Sequence, residues 1–393
     1  MRPLLTSFGT AGDVEPLLAL AVELRRAGHR PVVAFPPNYA SRAADVGVEF
    51  MPIGAEIKPA AMQALGAAML STASRAEHTR HFLEAALPSV PVMFRQLLEL
   101  SRAADVLIST PFQLAARMVH ETLALPFVSI HLTPFGMLGG KEVRDASAPM
   151  VNALRADEGL APLRDPLGAD GCSPQLALYA VSPQVSRPGR SWPAHHKLVG
   201  YFFLDAPDWV APPELLRFLA AGEPPVVVGF GSMIHGDATA VTQTLLEAIE
   251  LAKCRAILQQ GWSGLGKSEL PENVFPLGFA PHSWLLDRAG AIVHHGGAGT
   301  TAAAFRAGIP TVVVPHTLEQ PLWGECARAL GCAAAVIPFA KLAAAPLAEA
   351  LVATQVPQLQ ESARALGKKI RGEQGCRVAR ELIEGLVASR GQG

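Results

Sequence analysis

Charge is scarce in this chain. Of its 393 residues only 17% are Asp, Glu, Lys or Arg, and 34 acidic side chains nearly cancel 33 basic ones, for a formal net charge of -1. No strong field of one sign is available to steer nucleic acid or an acidic membrane. Cysteine is also sparse. The five (Cys172, Cys254, Cys326, Cys332, Cys376) are odd in number and include no C-x-x-C pair. That argues against a disulfide framework or a structural zinc site and for buried free thiols. No uninterrupted apolar run reaches the length of a membrane span, and the first residues run into the strand-like PLLTSF without a charged leader. A soluble, cytoplasmic protein is the expectation.

What is present is apolar and globular in kind. Hydrophobic residues make up 50%, and 35 glycines and 33 prolines are dispersed as many βα turns would require. The length suggests two domains or three. The most informative stretch is 291–320, AIVHHGGAGTTAAAFRAGIPTVVVPHTLEQ. Residues 291–293 read as a buried strand. Two histidines, a glycine turn and an alanine-rich helix follow, stopped at Gly308-Ile309-Pro310, and residues 311–314 form a second strand. Such a βαβ unit favours an anion. Glycines let backbone approach a ligand closely, and the first helical turn presents unpaired N–H groups and partial positive charge. The alternative is a tight turn whose glycines only permit helix–strand packing. The pattern is neither G-x-G-x-x-G nor a Walker A loop.

Both halves repeat this plan. Residues 2–8 read as a strand, 9–12 as a turn, 14–27 as a helix, 30–35 and 49–52 as further strands, which argues for a doubly wound parallel sheet. Met62, Leu65, Met69 and Leu70 suggest an apolar helical face, read either as core or as an adaptable wall for an apolar acceptor. Residues 92–100 suggest another helix, 106–109 and 127–131 are strands, and 136–170 read as loops or short helices. His131 falls at the carboxyl end of its strand, where open α/β sheets place ligands. Residues 205–213, DAPDWVAPP, form a proline-rich linker candidate. A second βα series follows, and 378–387 reads as a terminal helix.

HHGGAGTT followed by GIPTVVVP and EQ, together with GTAGDVEPLLALA near the start, resembles the inverting nucleotide-sugar glycosyltransferases of the UDP-glycosyltransferase family. The resemblance is strongest to bacterial glycopeptide- and macrolide-type transferases and sterol glucosyltransferases. It covers nearly the whole chain and is weak over about 55–100 and 135–200. It implies the GT-B architecture, two Rossmann-like domains facing a cleft: an acceptor-binding domain at 1–204, the linker at 205–213, a nucleotide-sugar domain at 214–375, and a helix at 376–393 packing back on the first domain.

The resemblance also implies roles. Asp13, in G-D-V-E-P, would be the base for the acceptor hydroxyl. A carboxylate of ordinary pKa, about 4, is a weak base at neutral pH and acts late in the displacement. Capping the helix as its N-cap is the competing reading. His294, Gly297, Gly299, Thr300 and Ser232 would bind the donor diphosphate. His295 reads as structural or secondary. Phe279, Ala280 and Trp262 would hold the nucleobase, in an F-A-P-H segment resembling the family's Trp-x-Pro-Gln. Glu319 and Gln320 would bind sugar hydroxyls, a solvated loop being their default reading. Thr10, Met62, Met69 and His131 are candidate acceptor contacts.

Departures matter too. Ala11 stands where the bacterial branch usually has Arg. Ala302 stands where plant relatives carry a ribose-binding Glu, which leaves dTDP-sugars open beside UDP-sugars. The chain contains no Asp-x-Asp, so metal-bridged diphosphate binding is not indicated and no metal or cofactor is expected beyond a UDP- or dTDP-hexose co-substrate. The expected function is an inverting O-glycosyltransferase acting on an apolar, hydroxylated small molecule. Its rivals are a nucleotide-sugar epimerase or hydrolase and a non-catalytic nucleotide-sugar-binding partner. A dinucleotide-dependent oxidoreductase is disfavoured because GTAGDVEP lacks G-x-G-x-x-G.

Overall fold

A computed structural model describes residues 1–72, 74–134, 140–188, 192–206, 208–231, 237–260, 270–317 and 319–390. The chain forms two compact units, Met1–Leu204 with Glu373–Gly393, and Asp205–Gly372.

The first unit runs β1 (Pro3–Thr6), α1 (Ala11–Arg26), β2 (Val32–Phe35), α2 (Ala40–Asp45), β3 (Glu49–Pro52), α3 (Pro59–Leu70), α4 (Arg75–Ala86), α5 (Val90–Ser101), β4 (Val106–Ser109), α6 (Leu114–Leu123), β5 (Phe127–His131), α7 (Lys141–Asp157), β6 (Leu176–Tyr179) and β7 (His196–Leu198). Its sheet has the order β3-β2-β1-β4-β5-β6-β7 and every pair is parallel. The inner strands are apolar at successive positions because helices cover both faces. Leu5, Val33, Ile108, Val128, Ile130 and Leu178 point into one core with α1. Leu4, Val32, Leu107 and Phe127 point into the other, beneath α5, α6 and α7.

The second unit runs α8 (Pro213–Ala220), β8 (Val226–Gly229), α9 (Ala238–Leu251), β9 (Ala256–Gln259), β10 (Val274–Leu277), α10 (His282–Leu285), β11 (Ala291–His294), α11 (Ala298–Ala307), β12 (Thr311–Val313), α12 (Gln320–Ala329), β13 (Ala333–Val336), α13 (Ala344–Ala353) and α14 (Pro357–Arg371). Its parallel sheet has the order β10-β9-β8-β11-β12-β13. Numbered from its own first strand this is 3-2-1-4-5-6, the dinucleotide-fold order. The last helix, α15 (Gly375–Arg390), belongs to the first unit. Its Ala379 and Ile383 are buried in the same core as Leu17 and Leu20 of α1.

In both sheets strand order reverses between the first and fourth strands of the unit, β1/β4 and β8/β11. Ligands bind outside the carboxyl ends of the strands at such a switch point. Asp13 follows β1 and His294 ends β11, so the two principal candidates stand at the two switch points.

Three local readings are corrected. The first helix starts at Ala11, not Val14, so Asp13 is its third residue and Thr10 is the N-cap. The Thr10–Asp13 capping box starts the helix about one turn earlier, so Asp13 is not the N-cap itself. The 136–170 region holds a 17-residue helix, α7. Its buried positions Val143, Ala146, Ser147, Val151 and Arg155 follow helical spacing, and Pro149 inside the helix had masked that period. A further polar helix, α4, lies between the apolar face at 62–70 and the helix expected at 92–100, where the sequence gives no apolar period. Residues of the expected linker are held on the second unit: Arg306 donates to both carboxylate oxygens of Asp205, at 2.6 and 2.9 Å, and Trp209 packs edge-on to Trp284 with ring centroids 4.9 Å apart.

Candidate functional site

In the first unit Asp13 is half-buried, and its Oδ2 accepts from the backbone N–H of Thr10 at 2.9 Å. Gly9 makes this possible. It sits at φ +146, and a Cβ there would lie 2.2 Å from Asp13 Oδ2. Beside it, the Tyr39 hydroxyl donates to the Gly9 carbonyl at 3.1 Å. Burial first, then the Asp13 and Glu15 carboxylates, hold that phenol well above its ordinary range. Arg42 grips Glu15 through Nε–Oε1 at 2.7 Å and Nη2–Oε2 at 2.9 Å. Tyr39, Gly9 and this ion pair carried no signal in the sequence beyond a glycine in a βα turn.

The acceptor candidates divide. Thr10 meets Asp13. His131 instead takes Ser129 Oγ at 3.1 Å on its Nε2 and stacks on Tyr179 with centroids 4.6 Å apart. Burial, then neighbouring His196, lowers the His131 imidazole to about 3, so it is neutral at physiological pH. Met69 is only 7% exposed and packs within the fold, its carbonyl accepting from His78 Nε2 at 2.7 Å, whereas Met62 on the same helix is half-buried.

In the second unit His294 is the last residue of β11 and 0% exposed. Its Nδ1 accepts from the Gly296 N–H at 3.1 Å, which places the proton on Nε2. That Nε2 is buried and has no hydrogen-bond partner among the described residues. Burial, then His282, lowers the imidazole to about 3. A neutral donor is thus fixed at the switch point with nothing to donate to, in a setting where unpaired polar groups cost about 1–3 kcal/mol.

The helix beyond it matches. Gly297 is the N-cap of α11 and offers no side-chain cap, so the first-turn N–H groups of Ala298, Gly299 and Thr300 have no partner within the helix. The first intrahelical amide bond is Thr301 N to Gly297 O at 2.9 Å, and the Thr301 hydroxyl bonds the same carbonyl at 2.9 Å. Gly299 is exposed and Thr300 half-buried. Gly296, at φ +85, has no room for a side chain: a Cβ would lie 2.8 Å from the Gln320 carbonyl and 2.9 Å from Val313 Cγ1.

Phe279 is 76% exposed, so it is not a core residue, while the adjacent Ala280 is buried. Gln320 corrects the solvated-loop reading. It is 6% exposed, and its Oε1 accepts from the backbone N–H of His316 at 2.8 Å and of Thr317 at 3.2 Å. Its carbonyl oxygen therefore shapes the turn before α12. Burial raises the Glu319 carboxyl above its ordinary range, partly offset by its own backbone N–H. Ser232 and Trp262 lie outside the described residues. None of the five cysteines is in a disulfide. Among the described residues no group of three or more His, Cys, Asp or Glu is placed to hold a metal ion, and no helix is long and apolar enough to cross a membrane.

Two family models match the chain in order: the glycosyltransferase family 28 N-terminal domain over residues 4–135, and the erythromycin biosynthesis protein CIII-like, C-terminal domain over 251–384. The O-mycaminosyltylonolide 6-deoxyallosyltransferase of Streptomyces fradiae is 31% identical over 432 residues, covering 99% of this chain and 98% of its own. A sterol 3-beta-glucosyltransferase of Arabidopsis thaliana is 29% identical over 418 residues, 95% of this chain; the chain spans 64% of that relative's length. The crystal structure of the glycosyltransferase VinC in complex with DTDP superposes with a TM-score of 0.72 at 20% identity over 100% of both chains, a likeness of fold. The two parallel α/β units are those of the GT-B architecture. An alignment with the Streptomyces fradiae enzyme that runs essentially end to end, on that fold, makes this chain a member of the glycosyltransferase family that includes the macrolide and sterol enzymes.

Proposed function

We propose that this protein is an inverting O-glycosyltransferase that moves a hexose from a UDP- or dTDP-sugar to a hydroxyl of an apolar natural-product or sterol-like acceptor. The observation that carries the reading is the buried Nε2–H of His294, unpartnered among the described residues, beside three amides at the start of α11 that have no partner within the helix. A diphosphate supplies the missing acceptors. The relative named for a sterol and the one named for a macrolide suggest the acceptor class, and the DTDP-bound neighbour supports a thymidine donor.

In the reaction the acceptor oxygen attacks the anomeric carbon as its proton passes to the Asp13 carboxylate. The bond to the diphosphate oxygen breaks, and its electron pair leaves with the diphosphate. Attack opposite the leaving group inverts the centre. The α11 amides, the helix dipole and neutral His294 stabilise the charge that develops on the leaving group. Phe279 stacks on the nucleobase. Glu319 and the Gln320 amide nitrogen meet sugar hydroxyls.

The test is transfer from UDP-glucose and dTDP-glucose to a panel of sterol and macrolide hydroxyls, with the product anomer read by NMR. A β-glucoside from an α-linked donor is expected. Asp13→Asn should slow transfer by a factor of about 10² or more while nucleoside diphosphate affinity stays within about twofold. A retained α-configuration, or unchanged turnover in the variant, would overturn the mechanism. Free hexose released without an acceptor would replace the transferase with a hydrolase.

A further inference from the structure

The motif's second histidine, His295, is held in an unusual place. It is half-buried, directly after β11. The distal edge of its ring fills the space where two glycines would otherwise carry side chains. A Cβ on Gly297, the N-cap of α11, would lie 2.4 Å from His295 Nε2. A Cβ on Gly231, in the turn after β8, would lie 3.2 Å from His295 Cε1. Gly231 is also at φ +60, a conformation side chains disfavour. The imidazole is thus clamped between the two βα turns that flank the switch point of this sheet.

Two further features make this spacing matter. The amides of Ala298, Gly299 and Thr300 start immediately after the clamped Gly297. The unpartnered Nε2 of His294 sits one residue before the clamp. Both donor sets are oriented by the same short turn, and the ring fixes that turn against the β8 side.

We propose that His295 is a positioning residue for the donor diphosphate: its imidazole spaces the β8 and β11 turns so that His294 and the α11 amides meet one diphosphate. This rests on the nucleotide-sugar reading above. The residue acts through its neighbours, and a phosphate-selective effect distinguishes this from general support of the fold.

The experiment is calorimetric titration of the full chain with dTDP and UDP and with the parent nucleosides thymidine and uridine, alongside thermal unfolding. His295→Ala should weaken the better nucleoside diphosphate about tenfold or more and its nucleoside less than about twofold. Gly297→Ala, which keeps the imidazole but displaces it, should give the same selective loss and serves where His295→Ala does not fold. The pair Gly297→Ala/His295→Ala should lose no more than either single change, because both break one contact. Unchanged diphosphate affinity in the single variants, equal losses for nucleoside and diphosphate, or additive losses in the pair would overturn the proposal. If the unaltered protein binds neither nucleoside diphosphate, the underlying reading falls, and this one with it.

Discussion

At the scale of single residues, the site's chemistry rests on side chains whose neighbours were invisible in one dimension. HHGG in a βα turn was legible as a candidate anion site. That the first histidine would be wholly buried, with Nδ1 occupied and Nε2 unpartnered, was not, because burial is set by β8 and β12 on either side of β11. Asp13 was legible as a candidate, but Asp and Thr are both good N-caps, and only the structure shows that Thr10 caps the helix and Asp13 is its third residue. Gly9 follows from its contact: Gly9→Ala would drive a methyl to 2.2 Å from Asp13 Oδ2. We expect it to remove most transfer activity while leaving nucleoside diphosphate binding intact; an active Gly9→Ala enzyme would show that the carboxylate need not sit where Gly9 admits it.

A pH dependence belongs to the same scale. His131 and His294 are each lowered to about 3 in the folded chain, against about 6.5 when unfolded. Between those values the unfolded chain binds protons that the native state refuses. Their contribution to stability is full above pH 6.5 and falls as pH drops toward 3. Unfolding temperature should therefore decline from pH 7 to pH 4.5, and His131→Gln should make the decline shallower. An unchanged slope in that variant would mean His131 is charged in the native state.

At the scale of elements, some announce themselves in the sequence and others do not, for physical reasons. Strands such as PLLT, VLIS and AIVH are buried on both faces and announce themselves as apolar runs. Helix α7 carries a proline at an exposed position and a buried arginine on its inner face: Arg155 donates to Glu121 Oε2 at 2.6 Å and to the Ala161 carbonyl at 2.9 Å. The arginine does not look like core until its partners are known. Helix α11, to whose start we assign the diphosphate, is held at its other end by a close approach to α14. Gly308 caps it at φ +74, and a Cβ on Gly367 would lie 2.7 Å from Gly308 Cα and 2.9 Å from the Phe305 carbonyl. Because backbone rather than a flexible side chain stands in the way, Gly367→Ala should cost about 1–3 kcal/mol in denaturant unfolding. A neutral substitution would show that the two helices can part without consequence.

For the whole molecule, the sequence showed two βα series and a terminal helix, whose return to the first domain only the family resemblance implied, and the parallel pattern is enough to imply doubly wound sheets. It did not show what ties the last helix down. In the first unit Arg380 Nε lies 3.1 Å from Glu23 Oε1, His29 Nε2 lies 2.8 Å from Glu384 Oε1, and Ile383 is fully buried. Ile383→Ala should therefore destabilise the first unit by about 2–5 kcal/mol. Nucleoside diphosphate affinity, which we assign to the second unit, should be unaffected. A parallel loss of that affinity would contradict the assignment of the donor to one unit alone.

The central claim is that the second unit is a diphosphate site built on His294 and the start of α11. Calorimetric titration of dTDP and UDP into the unaltered protein and into His294→Ala tests it most directly. The account predicts binding by the former and a loss of about tenfold or more in the latter. Failure of the unaltered protein to bind either nucleotide, or equal affinity in the two proteins, would contradict it.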